Sequence, residues 1–98
     1  MKFTEKEIGA LNQVVYMMNY IDGDLYQENL FPENFCIKFQ KLYSKSYQPL
    51  IRQVLGKISS EDSIDFLNIC IGIPPKYSNN DVLYYVSLFR DKLMNCSD

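Results

Sequence analysis

The chain of 98 residues has no histidine and no tryptophan, and it has only four glycines and three cysteines. Histidine is the side chain that most often transfers protons near neutral pH, so its absence removes the commonest general acid and base. The glycines stand far apart, which excludes a glycine-rich phosphate-binding loop. No serine or cysteine lies in a known nucleophile motif. These absences predict a protein that is not an enzyme and uses no cofactor.

Positive charge is also scarce and scattered. The chain has ten lysines and arginines and twelve acidic residues, and the basic residues are spread singly from Lys2 to Lys92. Nucleic-acid-binding domains usually gather such side chains in a stripe, so we expect no direct nucleic-acid contact. The net charge of −2 fits a basic protein partner better. No apolar run approaches the roughly 20 residues of a membrane span, so no membrane association is expected.

The three cysteines, Cys36, Cys70 and Cys96, are widely spaced and form no Cys-x-x-Cys pair. Zinc sites need closer ligand pairs, usually with histidine, so no metal site is expected. The spacing favours Cys36 and Cys70 as small core residues in a reducing compartment. The polar residues 1–7 do not form a secretory signal. We therefore expect a cytoplasmic protein.

Apolar residues recur with a period of about 3.6 along most of the chain, which predicts helices. Thr4 and Glu7 form a capping box for a first helix, whose apolar stripe runs from Ile8 to Ile21 and which stops at Gly23. A second helix is predicted to open at Pro32 and Glu33 and to carry an apolar stripe of Phe35, Phe39, Leu42 and Tyr43.

Three further helices are predicted in the second half of the chain. One opens at Pro49 and ends at Gly56, and its apolar side is Leu50, Ile51, Val54 and Leu55. The next is capped within residues 59–62. The last is capped by residues 78–81. The apolar stripe of the fourth helix is Ile64, Leu67 and Ile71, and that of the fifth is Val82, Leu83, Val86, Phe89 and Leu93. The whole chain, residues 1–98, is predicted to be one all-α domain, a small antiparallel bundle of four to five helices.

Tyrosine is unusually common, with eight residues. Tyr20 lies beside the apolar stripe of the first helix, and Tyr26 follows in the connector. Tyrosine gives a large rigid contact with a polar tip and is enriched at binding hot spots. Asp22, Asp24 and Glu28 surround Tyr26 in sequence. Two interpretations stay open, because the tyrosines either form an interface or cover the core with the hydroxyl in water.

The segment from Tyr20 to Tyr43 resembles colicin-D-type immunity proteins. The resemblance is carried by Tyr-Ile-Asp-Gly-Asp-Leu at residues 20–25, Pro-Glu-Asn-Phe-Cys at 32–36, and Phe39 with Leu42-Tyr43. The last segment is similar too, through Tyr77, Leu83, Val86 and Lys92-Leu93. The sequence departs from the family pattern by an insertion at residues 26–31 and by a nearly neutral loop at residues 74–80.

The resemblance implies a small helical protein that binds the nuclease domain of a cognate bacterial toxin and covers its active site. It further implies a monomer that pairs with the toxin in a heterodimer. By analogy, the partner-binding residues are Tyr20, Asp22, Asp24, Tyr26, Glu28 and Glu33. A second acidic cluster is a reserve candidate and consists of Glu61, Asp62 and Asp65.

Two alternatives are weighed against this interpretation. Asp22-Gly23-Asp24-Leu25 with Glu28 also resembles the tellurite-resistance-B-like helical domain, which implies a metal-associated stress-response module. Three carboxylates in seven residues could offer oxygen ligands to calcium or magnesium, although the spacing is not that of an EF-hand and a structural turn is favoured. The other alternative is a small helical adaptor for another protein.

Overall fold

Five α-helices and one 3-10 helix form the regular structure of residues 3–59 and 63–96, which are the residues that this computed structural model describes. No strand occurs among these residues, so the prediction of an all-α fold is confirmed. The 3-10 helix Met17–Tyr20 follows α1 directly. The α-helices are α1 Glu5–Tyr16, α2 Phe35–Leu42, α3 Gln48–Gly56, α4 Phe66–Ile69 and α5 Asn79–Met94.

The core lies where α1, α3 and α5 pack against one another. Each of these helices buries residues three or four positions apart, because such residues share one face of a helix. Most residues of the predicted apolar stripes of the three helices are buried, but Ile8, Ile21, Leu50 and Leu83 are only half-buried. The buried apolar residues are Ala10, Leu11, Val14 and Val15 in α1, Ile51, Val54 and Leu55 in α3, and Val82, Tyr85, Val86, Phe89 and Leu93 in α5.

Capping boxes begin both of the long helices, as predicted. In α1 the hydroxyl of Thr4 accepts a hydrogen bond from the Glu7 amide at 3.1 Å, and the Glu7 carboxylate accepts one from the Thr4 amide at 2.9 Å. Ser78 and Asp81 repeat the arrangement in α5, at 3.2 and 2.9 Å. Gly23 has the predicted left-handed conformation, with a φ of 90°, but it does not end the first helix. The α-helix ends at Tyr16 and the 3-10 helix at Tyr20, so the prediction of one helix that stops at Gly23 is wrong.

The second helix begins later than predicted. It starts at Phe35, so Pro32 and Glu33 lie in the turn before it, where the Phe35 amide donates to the Pro32 carbonyl at 3.1 Å. Glu33 is therefore outside the helix. Phe35 and Phe39 are buried as predicted, but Leu42 is 58% exposed and does not belong to the core.

The fourth helix is a single turn, and its predicted apolar stripe is wrong for Leu67 and Ile71, whereas Ile64 is buried as predicted. The Asn79 side chain accepts from the Phe66 amide and donates to the Ile64 carbonyl, which fixes this segment to the start of α5. Phe66 is consequently buried, whereas Leu67 is 48% and Ile71 77% exposed. Most of the predicted cap, residues 60–62, lies outside the described residues.

Cys36 and Cys96 form a disulfide that joins the first turn of α2 to the segment after α5. The prediction that Cys36 is a free core thiol is therefore wrong, because tertiary packing brings together two cysteines that are 60 positions apart. Cys70 is free and buried, as predicted, and burial raises the pKa of its thiol to about 11. Within the described residues, no helix has the length and apolar character needed to cross a membrane.

Candidate protein-binding surface

The connector between the 3-10 helix and α2 lies on the surface. It carries five of the six residues of the main predicted binding set, and the sixth, Tyr20, is the last residue of the 3-10 helix. All six are exposed. The rings of Tyr20 and Tyr26 are 65% and 54% exposed. These two tyrosines therefore do not cover the core, unlike Tyr43, Tyr77 and Tyr85, which are buried. The six residues are Tyr20, Asp22, Asp24, Tyr26, Glu28 and Glu33.

The segment from Tyr20, the last residue of the 3-10 helix, to Glu28 is here called the acidic loop, and it is closed by its own hydrogen bonds. The Asp24 carboxylate accepts from the Tyr26 amide at 3.1 Å. The Gln27 side chain donates to the carbonyls of Asp22 and Asp24, at 2.8 and 2.6 Å. Leu25 is 3% exposed and packs in the core cluster. These bonds and this contact hold the loop in one shape, and the sequence-based prediction missed Gln27.

Tyr26 ties the acidic loop to α5. Its hydroxyl donates to the Asp81 carboxylate at 2.5 Å, and its ring lies 4.5 Å from that of Tyr84, centroid to centroid. This hydrogen bond raises the pKa of Tyr26, and together with the bond from the Ser78 amide it lowers the pKa of Asp81. Asp81 is 55 positions from Tyr26, so only its role as a helix cap was visible in the sequence.

Next to the acidic loop, the exposed tyrosines Tyr16 and Tyr20 lie close to the backbone of residues 71–72, where the Ile71 side chain is also exposed. These three side chains are here called the apolar patch. The two tyrosine rings meet edge to face, with centroids 5.7 Å apart. The Asn12 side chain accepts from the Ile71 amide, and the Asn19 side chain donates to the carbonyls of Tyr16 and Gly72. These bonds hold residues 71 and 72 against α1 and the 3-10 helix. The sequence analysis did not predict this patch, because the helical spacing of Ile71 indicated a buried residue.

The reserve acidic cluster is described only at Asp65, because Glu61 and Asp62 lie outside the described residues. Asp65 is exposed, and its carboxylate accepts from the Asn68 side chain at 2.5 Å. It lies between Ile64 and Phe66, which Asn79 attaches to α5. Asn79 and Asp81 both belong to the first turn of α5, so that turn anchors the Asp65 segment as well as the acidic loop.

The metal-binding alternative would require carboxylates that converge on one point, and the part of the chain that the structure describes has no such group. There, no group of three or more His, Cys, Asp or Glu side chains is placed to hold a metal ion. Asp22, Asp24 and Glu28 share the acidic loop without converging, and the Asp24 carboxylate serves as a turn acceptor.

None of the protein-family models, curated proteins or solved structures with which the chain was compared matches it. The indications of function therefore come from the geometry of the chain itself and from the motifs described above.

Proposed function

We propose that this protein is an inhibitor of a bacterial nuclease toxin, which it binds through the acidic loop and the apolar patch. The observation that carries the proposal is that exposed tyrosines and carboxylates occupy one loop held in a fixed shape. The expected partner is a nuclease domain with a basic active-site cleft, bound one to one. We further propose that the inhibitor itself performs no catalysis.

The fixed shape of the acidic loop supports tight binding. Ordering a flexible loop on association lowers affinity, so a loop already closed by Gln27 and anchored by Tyr26 avoids much of that cost. Its exposed carboxylates would speed the approach of a basic surface, because opposite charges steer diffusional encounter. Inhibition would follow from covering the cleft, without any chemical step.

The apolar patch supplies the second property that a stable interface needs. Interfaces have an apolar centre with aromatic anchors and a polar rim. The patch offers two tyrosine rings and the 77% exposed Ile71, and the acidic loop starts at Tyr20. Large exposed apolar side chains grouped in this way are typical of protein-binding sites.

The proposal predicts that a nuclease domain is encoded next to this protein, and that domain is the partner for the test. We expect a one-to-one complex in gel filtration and loss of nuclease activity on mixing. The double variant Asp22→Asn/Glu28→Gln should slow association about tenfold, because it removes two steering charges. Neither side chain holds the loop together, since the loop bonds use the Asp22 carbonyl and other residues.

The matched control is Glu5→Gln/Asp91→Asn, which removes two exposed carboxylates elsewhere on the surface. It should change the association rate by less than about twofold. Failure to form a complex with the neighbouring nuclease, or equal slowing by both double variants, would refute the proposal.

A further inference from the structure

A groove of about 770 Å³ opens between the connector and α2, and it has an aromatic floor. Neighbouring rings of the floor have centroids 5.0 to 6.4 Å apart, so they form one continuous apolar surface. The aliphatic side chains of Leu30 and Leu42 also line the groove. The rings of the floor belong to Phe31, Phe35, Phe39, Tyr85 and Phe89.

The rim of the groove carries a pair of cations although the chain as a whole is acidic. Lys38 and Lys41 line the groove, and both are exposed. They are three positions apart on α2, so they lie on the same side of the helix. Among the described residues, neither has an ion-pair partner. Asp22 is the one carboxylate among the lining residues, which leaves the lining with a net positive charge.

The floor is recessed, and this limits what can reach it. Phe35, Phe39, Tyr85 and Phe89 are between 2% and 7% exposed, although all four line the groove. Only a small part of each of these rings is accessible, so most of the accessible apolar surface comes from the half-buried Leu30 and Phe31 and from the exposed Leu42. A narrow alkyl chain fits against such side chains, whereas a helix about 10 Å wide would rest on the rim. The volume also lies within the range of small-molecule sites. The groove thus fits a narrow apolar ligand better than a segment of a partner protein.

We propose that this groove binds a small amphiphilic carboxylate, whose alkyl chain lies on the aromatic floor and whose carboxylate lies between Lys38 and Lys41. The lining residues of α2 from Phe35 to Leu42 extend over about 10 Å, a length suited to a medium-chain fatty acid. Burial of the chain supplies the affinity, and the two ammonium groups fix its direction. The negative charge of Asp22 disfavours a ligand carboxylate at the part of the rim where Asp22 lies, so the ligand carboxylate should lie near the two lysines. This site does not depend on the proposed inhibitor function.

The test is a nuclear magnetic resonance titration of the whole protein with decanoate, kept below its micelle concentration. We expect saturable shifts of backbone amides in residues 27–43 and 85–89. Butanoate, which keeps the carboxylate but loses most of the chain, should bind at least about tenfold more weakly. Decyltrimethylammonium, which keeps the chain but reverses the charge, should also bind about tenfold more weakly.

The variant Lys38→Glu/Lys41→Glu should raise the Kd for decanoate about tenfold or more. The matched control Lys6→Glu/Lys45→Glu changes two exposed lysines away from the groove and should leave the Kd within about twofold. All four lysines are exposed, so both variants should fold, as circular dichroism will show. Shifts that do not saturate, equal weakening by both variants, or equal binding of the cationic amphiphile would overturn the proposal.

Discussion

The two long helices begin with the same capping box, yet the third helical residue of each box faces a different environment. In α1 that residue is Glu7, which is 1% exposed and whose carboxylate lies 2.6 Å from the ammonium group of Lys57 in the segment after α3. In α5 it is Asp81, which is half-buried and accepts a hydrogen bond from Tyr26. Both carboxylates have a lowered pKa, but different partners lower it.

The difference shows that one local motif can serve two purposes. The α1 box joins two core helices, because the Glu7 carboxylate contacts both Lys57 and the Gln53 side chain. The α5 box instead fixes the position of the acidic loop through Tyr26. Substitutions in the α1 box should therefore change global stability most, and those in the α5 box should change the shape of the loop.

The largest effect is expected for Glu7→Gln, which should lower the free energy of unfolding at neutral pH more than Asp81→Asn does. The hydrogen bonds from Lys57 and Thr4 lower the pKa of Glu7 from 4.5 to about 2. Because the folded-state pKa is the lower one, the stabilisation is complete above pH 4.5 and is lost as the pH falls toward 2. Urea unfolding of both variants and the unmodified protein across this pH range measures the effect.

The stability difference between the unmodified protein and Glu7→Gln should thus shrink as the solution is acidified. A difference that stays constant down to the lowest pH would contradict the assignment of the lowered pKa to Glu7. A loss for Asp81→Asn as large as that for Glu7→Gln would contradict the contrast between the two capping boxes.

A smaller effect is expected for the N-cap hydroxyls. Thr4→Ala and Ser78→Ala each remove the acceptor for one backbone amide, which typically costs about 1 kcal/mol of folding stability. Thr4→Ala should cost more, because it loosens the end of α1 where the buried Glu7 lies. Urea unfolding at neutral pH compares the two variants directly. The reverse order would show that the α5 box contributes more to global stability.

The smallest effect on global stability is expected for Tyr26→Phe. The substitution keeps the ring contact with Tyr84 and removes only the hydrogen bond to Asp81. The acidic loop should then open more often, so hydrogen exchange at the Gln27 amide, which donates to the Asp24 carbonyl, should become faster. Tyr20→Phe is the control, since it removes only a hydroxyl contact with Tyr16. Unchanged exchange in Tyr26→Phe would show that the bond to Asp81 does not hold the loop.

The parts of the fold that depend on neighbouring residues could be predicted from the sequence. Both capping boxes, the left-handed Gly23 and the buried stripes of α1, α3 and α5 follow from patterns within a few positions. The single turn of α4 could not be predicted, because Asn79 determines it from another part of the chain. The Cys36–Cys96 disulfide was missed for the same reason.

The candidate surface was predictable in part. A polar connector between helices is expected on the surface, because its backbone would lack hydrogen-bond partners if it were buried. This rule predicts the observed exposure of Asp22, Asp24 and Glu28. The helical spacing of Ile71 predicted that it is buried, but the residue is exposed. The hydrogen bond from Tyr26 to Asp81 joins residues that are far apart in the sequence, so no local pattern predicts it. The groove was also missed, because α5 supplies part of its aromatic floor and α5 is far in sequence from Lys38 and Lys41.

The disulfide has a topological consequence for the way the chain can be cut. It closes residues 36–96 into a covalent ring, while α1 and the acidic loop lie outside that ring. A single protease cut inside the ring leaves one covalently connected molecule until a reductant is added. A cut in the acidic loop leaves α1 without a covalent link to the rest of the chain even under oxidising conditions. After a single cut in the candidate binding loop, packing alone would hold this core helix in place.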